Sequence, residues 1–399
     1  MHNLRHYLLV TLSYWGFTLT DGALRMLVLL HFHNLGYSPL QIAFLFLFYE
    51  FFGIVTNLLG GWLGAVMGLR ATLLAGISLQ IVALSMLALL DPQWPVALAV
   101  SYVMFAQALS GIAKDLTKMS SKSALKFVVH ENAQGTLFKW VAILTGSKNA
   151  LKGVGFFMGG LLLSTIGFAS SLYVMATALL VILVSSVLLL PSDMGKAKSK
   201  KKWQHLFAKS RAINILSFAR LFLFGSRDVW FVVGLPLFLA TQLQWSHMQV
   251  GSFLASWVIG YGIIQSLVPG FIRQHIPTGK TAFYWVSILT MVPVLIIVAL
   301  GADFAIRNSL IAGLALFALI FAINSAIHSY LVLAYTDHDN VTMDVGFYYM
   351  ANAAGRLTGT VLSGYLYQEA GLAGCLWVSV AFILIASIVT RLLPEKNPT

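Results

Sequence analysis

Basic residues inside apolar stretches are the feature of this sequence that could do chemistry. A charged side chain in a membrane span costs ~2.5–3.5 kcal/mol or more, so it usually faces a partner or a polar cavity. The eight basic residues are Arg25, Lys114, Lys118, Lys148, Lys152, Arg220, Arg227 and Arg356. The four acidic residues in the same stretches are Asp21, Glu50, Asp115 and Asp228. The difference, 8 − 4, leaves four positive charges in excess, which predicts a site for an anion with several charges.

Helical spacing decides which of these basic residues can act together. Lys114 and Lys118 are four residues apart, as are Lys148 and Lys152, so each pair shares one helix face. A span that ends early would instead leave Lys114 and Lys118 as anchors at the membrane interface. The predicted substrate-binding residues are Arg25, Lys114, Lys118, Lys148, Lys152, Arg227 and Arg356.

Three of the acids, Asp21, Glu50 and Asp228, are predicted to serve coupling or charge pairing. Asp21 lies four residues before Arg25 and could pair with it, and Asp228 could neutralise the adjacent Arg227. Glu50 has no basic residue within one helical turn. It is therefore either a protonated proton carrier or the partner of a basic residue on another helix, and spacing leaves both open.

Two polar residues of the tenth apolar run, Asn324 and His328, also share a helix face. They could hydrogen-bond a substrate or join two helices, and the sequence favours neither.

The amino-acid composition shows that this is a membrane protein, in which charged residues are rare. Hydrophobic residues make up 59% of the 399 residues, charged residues 10%, and the mean hydropathy is +0.84. A soluble domain has roughly 25% charged residues, so this is a polytopic membrane protein and not an extramembrane enzyme or a nucleic-acid-binding module. One cysteine, Cys375, excludes a disulfide framework and a paired-thiolate metal site. With no HExxH, GxSxG or P-loop pattern, we expect no enzymatic activity, cofactor or metal.

Twelve apolar runs are long enough to cross a bilayer, which needs about 20 residues per helix. They are 7–32, 39–66, 71–90, 95–117, 137–166, 168–190, 211–241, 247–272, 280–300, 308–334, 344–368 and 371–391. We expect an N-terminal six-helix bundle at 1–190, a basic cytoplasmic linker at 191–210 and a C-terminal six-helix bundle at 211–399. With both termini in the cytoplasm, 16 of the 25 Lys and Arg residues lie inside and only Arg307 lies outside. The linker's lysines at 196–202 are a positive-inside anchor or a site for anionic lipid.

An internal repeat relates the two halves. The segment Leu35-Gly-Tyr-Ser-Pro-Leu-Gln-Ile42 resembles Leu243-Gln-Trp-Ser-His-Met-Gln-Val250, 208 residues later. Two six-helix halves related in this way are the plan of the major facilitator superfamily. The segment 61–70 also resembles that superfamily's loop after the second helix, although Ala65 stands at its acidic position.

Three segments resemble a more specific group, the organoarsenical efflux permeases (ArsJ type) of that superfamily. They are Thr20-Asp-Gly-Ala-Leu-Arg25, the segment 110–122 around Lys114 and Lys118, and the segment 138–153 around Lys148 and Lys152. The resemblance implies export of 1-arseno-3-phosphoglycerate, which glyceraldehyde-3-phosphate dehydrogenase makes from arsenate. It further implies arsenic resistance and a place in a bacterial inner membrane.

Other functions remain open from the sequence. A transporter or exchanger of sugar phosphates or phosphoglycerate would use the same basic residues. A membrane enzyme or receptor would need a catalytic group that the sequence does not show, and an exporter of cationic drugs would need a negative cavity. The expected partners are a small anionic substrate and the lipid bilayer, with no nucleic acid, and we expect a monomer.

Overall fold

The computed structural model describes residues 2–91, 93–124, 134–191, 210–272, 277–302, 305–335 and 341–394. Within these ranges the chain forms helices joined by short turns, and no strand is present. The helices are α1 (His2–Asn34), α2 (Pro39–Leu45), α3 (Leu47–Met67), α4 (Leu69–Ala88), α5 (Val96–Ala124), α6 (Gln134–Ile166), α7 (Phe168–Leu189), α8 (Arg211–Phe231), α9 (Gly234–Thr241), α10 (His247–Ile272), α11 (Gly279–Gly301), α12 (Ile306–Ala334) and α13 (Val341–Thr390).

These helices form the predicted membrane-spanning segments. Ten segments of the described chain are long and apolar enough to cross a membrane. In two of them a pair of helices, α2 with α3 and α8 with α9, forms one span. The last of the ten is bent at Gly371, where φ is +62° and ψ is −161°, which divides α13 into 341–370 and 372–390. Helix α1, which carries Asp21 and Arg25, is not among the ten. Counting α1 and the two parts of α13 gives twelve long segments in the described residues, and the all-helical architecture is confirmed.

Helix boundaries differ from the predicted ones mainly at three places. Helix α1 begins at His2, α5 continues to Ala124, and α13 begins at Val341, several residues beyond each apolar run. Polar residues can extend a helix past the apolar region, because the helix needs only backbone hydrogen bonds to continue. The linker lysines at 196–202 lie outside the described residues, so the three-part division of the chain stays a prediction.

The internal repeat forms the same local structure twice. Ser38 caps α2 through a reciprocal pair of hydrogen bonds with Gln41, and Ser246 does the same at α10 with Gln249. Two residues before each serine the backbone is left-handed, with φ of +83° at Gly36 and +54° at Gln244. A capping box after a left-handed residue is a specific combination. Its recurrence supports a common design of the two halves, α1–α7 and α8–α13.

The two halves pack closely at the end of the molecule that carries both capping boxes. His247 Nε2 lies 3.2 Å from Asn34 Oδ1, across the halves. Helix α6 contacts α10 there, and a Cβ on Gly251 would lie 2.9 Å from the Phe156 carbonyl oxygen. Helix α13 meets α2 at the same end, where Gly364 lies against Pro39. The halves are therefore closed against each other at this end.

Candidate functional site

Glu50 lies at the centre of a buried charged group that joins the two halves. Its carboxylate is on α3, and the residue is fully buried. The same oxygen, Oε1, accepts a hydrogen bond of 2.7 Å from Arg25 Nη2 on α1 and one of 2.6 Å from Arg356 Nη2 on α13. Of the two roles considered for Glu50, the structure therefore shows the partner of basic residues on other helices.

Arg356 also reaches a second carboxylate. Its Nε lies 3.3 Å from Asp228 Oδ2 on α8, while Arg227 Nε donates to Asp228 Oδ1 at 2.6 Å. Arg227 thus pairs with its sequence neighbour, as considered above. Arg25, Glu50, Arg227, Asp228 and Arg356 together form what we call the arginine–carboxylate cluster. Arg356 is its link between the halves.

Asp21 and Arg25 do not form the intrahelical pair that their spacing allowed. The Tyr49 hydroxyl donates to Asp21 Oδ1 at 2.7 Å, and Arg25 turns to Glu50 instead. The Arg25 guanidinium also lies 5.2 Å from the ring centre of Phe46, a cation–π distance. A neighbouring helix thus supplies better partners for Arg25 than its own.

Lys114 and Lys118 both lie within α5, which continues beyond them. Lys118 Nζ donates to Asp115 Oδ1 and to Asn57 Oδ1, at 2.6 Å in each case. Lys114 Nζ lies 4.0 Å from the ring centre of Tyr49, the residue that holds Asp21. Lys114 is therefore next to the arginine–carboxylate cluster, whereas Lys118 belongs to a polar group with α3.

Lys148 and Lys152 lie on α6, and the latter is placed beside the cluster. Lys152 is partly buried and lies within electrostatic range of Arg25 and Arg356. Its Nζ is 5.7 Å from the ring centre of Phe156. Lys148 lies one helical turn before Lys152 on α6. Like Arg25 and Arg356, it adds positive charge to the surroundings of the Lys152 ammonium group. The predicted basic residues of α1, α6, α8 and α13 thus approach one another between the halves.

The four acids cannot neutralise all eight basic residues. Glu50, Asp115 and Asp228 are held in ion pairs, and Asp21 accepts from a hydroxyl. Among the described residues, no carboxylate oxygen lies within 4 Å of the terminal nitrogens of Lys114, Lys152 or Arg220. Within the described part of the chain, these three basic residues therefore keep a positive charge that no carboxylate neutralises.

Comparison with known proteins assigns the family. The profile of the Major Facilitator Superfamily matches residues 7–235 and 216–399, which together cover nearly the whole chain. The chain belongs to this superfamily. It is accordingly a membrane transporter and not an enzyme. No curated protein sequence matches it significantly.

Two solved structures share the fold of this superfamily member. Both are of a bacterial homologue of the iron transporter ferroportin, one in its outward-facing and one in its inward-facing state. The outward-facing structure superimposes with a TM-score of 0.69 at 14% identity, over 98% of each chain. The inward-facing structure gives 0.67 at 15% identity, over 97% of this chain and 98% of the other. At such identities the likeness shows the fold alone.

In each half of this superfamily transporter, a glycine three residues after a basic residue allows close helix packing. Lys152 on α6 and Arg356 on α13 each precede, by three residues, a glycine that allows close helix contact. A Cβ on Gly155 would lie 2.5 Å from the Leu19 carbonyl oxygen on α1, and one on Gly359 would lie 2.8 Å from the Gly225 carbonyl oxygen on α8. Small residues let backbones approach in this way.

A further polar group was not predicted as a site. Arg220, on α8, donates to Asn352 Oδ1 at 3.0 Å and to Ser325 Oγ at 3.4 Å. Gln265 Nε2 also donates to Ser325 Oγ at 3.1 Å, and Asn149 Nδ2 on α6 donates to Gln265 Oε1 at 3.0 Å. The sequence pattern that could have indicated this group is the spacing of polar residues four apart, such as Asn352 and Arg356.

Proposed function

We propose that this transporter exports a small organic anion with two oxyanion groups, 1-arseno-3-phosphoglycerate, and thereby gives resistance to arsenate. The observation that supports this most is the uncompensated positive charge between the halves. An anion with several charges would neutralise it, and transporters of this architecture bind substrates at the interface between their repeats.

The side chains suit oxygen-rich groups. Arginine presents a planar fork that donates two parallel hydrogen bonds to phosphate-like oxygens, and lysine supplies a compact charge. Pentavalent arsenic in an ester is recognised through its oxygens, so no thiolate is required. Cys375 fits this expectation, because it is the one cysteine of the sequence and is fully buried against the Ser363 carbonyl oxygen.

Two groups of basic residues offer places for the two ends of such an anion. Lys148, Lys152 and Arg25 come from the N-terminal half, and Arg227 and Arg356 from the C-terminal half. An anion bound between them would compete with Glu50 and Asp228 for the guanidinium groups. Binding would thus exchange carboxylate contacts between the halves for substrate contacts, which is the kind of change that alternating access needs.

The membrane potential is sufficient to drive export in this proposal. Moving one negative charge outward across an inside-negative membrane is favourable by ~2.3 kcal/mol per 100 mV. Glu50 is engaged by two arginines and is not needed as a proton carrier. If efflux stopped when the pH gradient was collapsed at constant electrical potential, the transporter would be a proton antiporter.

A metal substrate, as in the iron transporter whose bacterial homologue shares the fold, is disfavoured. The described residues contain no group of three or more His, Cys, Asp or Glu side chains that could hold a metal ion. The charge between the halves is also positive, which repels divalent cations. An organophosphate such as a sugar phosphate or phosphoglycerate is the second candidate, because it offers the same oxygens.

Transport into everted membrane vesicles tests the substrate. Vesicles that contain the protein should accumulate arsenic only when arsenate is supplied with glyceraldehyde-3-phosphate dehydrogenase, its cofactor and its triose phosphate. Equal accumulation from arsenate alone would refute the proposal. Accumulation of labelled 3-phosphoglycerate without arsenate would instead support the organophosphate transporter.

Variants test the site independently of the substrate's identity. Lys152→Gln and Arg356→Gln should each abolish arsenic accumulation while the protein remains folded in the membrane. Arg307→Gln is the matched control, since Arg307 is an exposed arginine that lies over the ring of Trp245. Normal transport by both site variants would show that the substrate binds elsewhere.

A further inference from the structure

Arg220 is a buried cation without a carboxylate partner. It is 4% exposed, and no carboxylate oxygen of the described residues lies within 4 Å of its guanidinium nitrogens. Its Nε and Nη2 have neutral partners, Asn352 and Ser325, while Nη1 is buried without any hydrogen-bond partner. Burying an uncompensated charge is costly, and buried charges in proteins are normally paired, so a bound anion would stabilise this guanidinium.

A second unpartnered residue lies beside it. His328 is one helical turn beyond Ser325 on α12 and is fully buried. Neither of its ring nitrogens has a hydrogen-bond partner within the described part of the chain. An imidazole can present an N–H group to an anion, or take up a proton together with it. Asn324, by contrast, donates to the carbonyl oxygens of Trp285 and Ile320 and is a helix–helix contact.

The guanidinium is held in a fixed orientation. It lies over the ring of Phe224, with its central carbon 3.7 Å from the ring centre, and over that of Tyr348 at 5.0 Å. Stacking fixes the plane of the guanidinium and leaves its edge for hydrogen bonds, which is the arrangement that suits oxyanions. The Arg227 guanidinium lies over the same Phe224 ring, 5.1 Å from its centre, so this place adjoins the arginine–carboxylate cluster.

We propose that Arg220, Ser325, His328 and Asn352 form an oxyanion site beside Arg227, which holds the phosphate-like or arsenate-like group that the C-terminal half takes from the transported anion. The proposal rests on the function proposed above, since it concerns the same class of substrate. Hydrogen bonds also connect this site with the N-terminal half. Ser325 is bonded to Gln265, and Gln265 to Asn149 on α6, next to Lys148. An oxyanion that draws Ser325 or Arg220 toward itself would therefore disturb a contact between the halves.

Thermal unfolding of the purified protein with inorganic phosphate tests this site. Sodium phosphate should raise the melting temperature of the wild type above its value in sodium chloride of equal ionic strength. Arg220→Gln should weaken the apparent phosphate affinity at least tenfold. Without phosphate, the same variant should be as stable as the wild type or more stable, because it removes an uncompensated buried charge. Arg307→Gln should respond to phosphate like the wild type.

The opposite pattern would overturn the proposal. An Arg220→Gln protein that is less stable without phosphate, yet keeps the wild-type response to it, would show that Arg220 has a structural role. If that variant does not fold, Arg220→Lys and Ser325→Ala take its place, since each removes one feature of the site. Wild-type affinity in both would exclude the site. These outcomes are separate from the vesicle experiment: arsenic transport by the wild type can succeed even if phosphate does not bind at Arg220.

Discussion

Replacing Glu50 by glutamine removes the negative charge that holds two arginines from different halves together. The substitution keeps the size of the side chain and an oxygen acceptor, so its main effect is electrostatic. Arg25 and Arg356 would then lie close to each other with a neutral amide between them. We expect Glu50→Gln to lower the free energy of unfolding of the protein. The contact between the two halves should also weaken.

The magnitude follows from the geometry. Glu50 is fully buried, and its Oε1 accepts bonds of 2.7 and 2.6 Å from the two guanidinium groups. A hydrogen bond to a charged group contributes ~1.5–3 kcal/mol, and breaking a buried ion pair costs ~3–5 kcal/mol. Because the amide oxygen can still accept a bond, we expect the lower end, about 3 kcal/mol. For a protein of this size the melting temperature should fall by about 4 °C.

The measurement is thermal unfolding of the detergent-purified protein at one fixed scan rate, since membrane proteins often unfold irreversibly. Glu369→Gln is the matched control, because Glu369 is an exposed glutamate on α13. Phosphate should restore more stability to Glu50→Gln than to the wild type, since an anion can replace the missing charge. If Glu50→Gln melted at the temperature of the control, the assignment of Glu50 as the link between the halves would be wrong.

Three further predictions concern packing and access. Gly355→Val should prevent proper folding, because a Cβ there would collide with the Leu221 carbonyl oxygen, whereas Gly260→Ala should be tolerated in open space; the yield of monodisperse protein measures both. Ser38→Ala and Ser246→Ala should each lower stability by a similar amount, about 1 kcal/mol, because each removes the same kind of helix cap, and unequal losses in thermal unfolding would contradict the structural repeat. Cys375 should react with a maleimide only after denaturation, because it is fully buried, and mass spectrometry of the labelled native protein would reveal any reaction.

Some features of this protein were determined by the sequence alone. Long apolar runs can be stable only as membrane helices, since the bilayer requires every backbone group to be bonded internally. The runs therefore predicted the spanning segments, with errors only of a few residues at the ends. The repeat around Ser38 and Ser246 predicted two related halves. It forms the same turn and helix cap in each, because helix caps are local structures. The excess of buried positive charge could likewise be counted without a fold.

The pairing of those charges was decided by the tertiary structure. Spacing along one helix indicates only neighbours on that helix, and on this basis Asp21 was one possible partner for Arg25. The structure instead joins Arg25 to Glu50, and Glu50 to Arg356 at a separation of 306 residues. No pattern in the sequence encodes which faces of distant helices meet.

The same holds for the second polar group. Arg220 could be recognised as a charge in an apolar run, but its lack of a carboxylate partner depends on what surrounds it in three dimensions. Close contact of α8 with α13, which Gly355 and Gly359 allow, places Arg220 beside Asn352 and Asp228 beside Arg356. The sequence supplied the charges and the glycines, whereas helix packing determined which charges are neutralised and which remain for an anion. The reason is that electrostatic energy depends on the distances between side chains and not on their order along the chain.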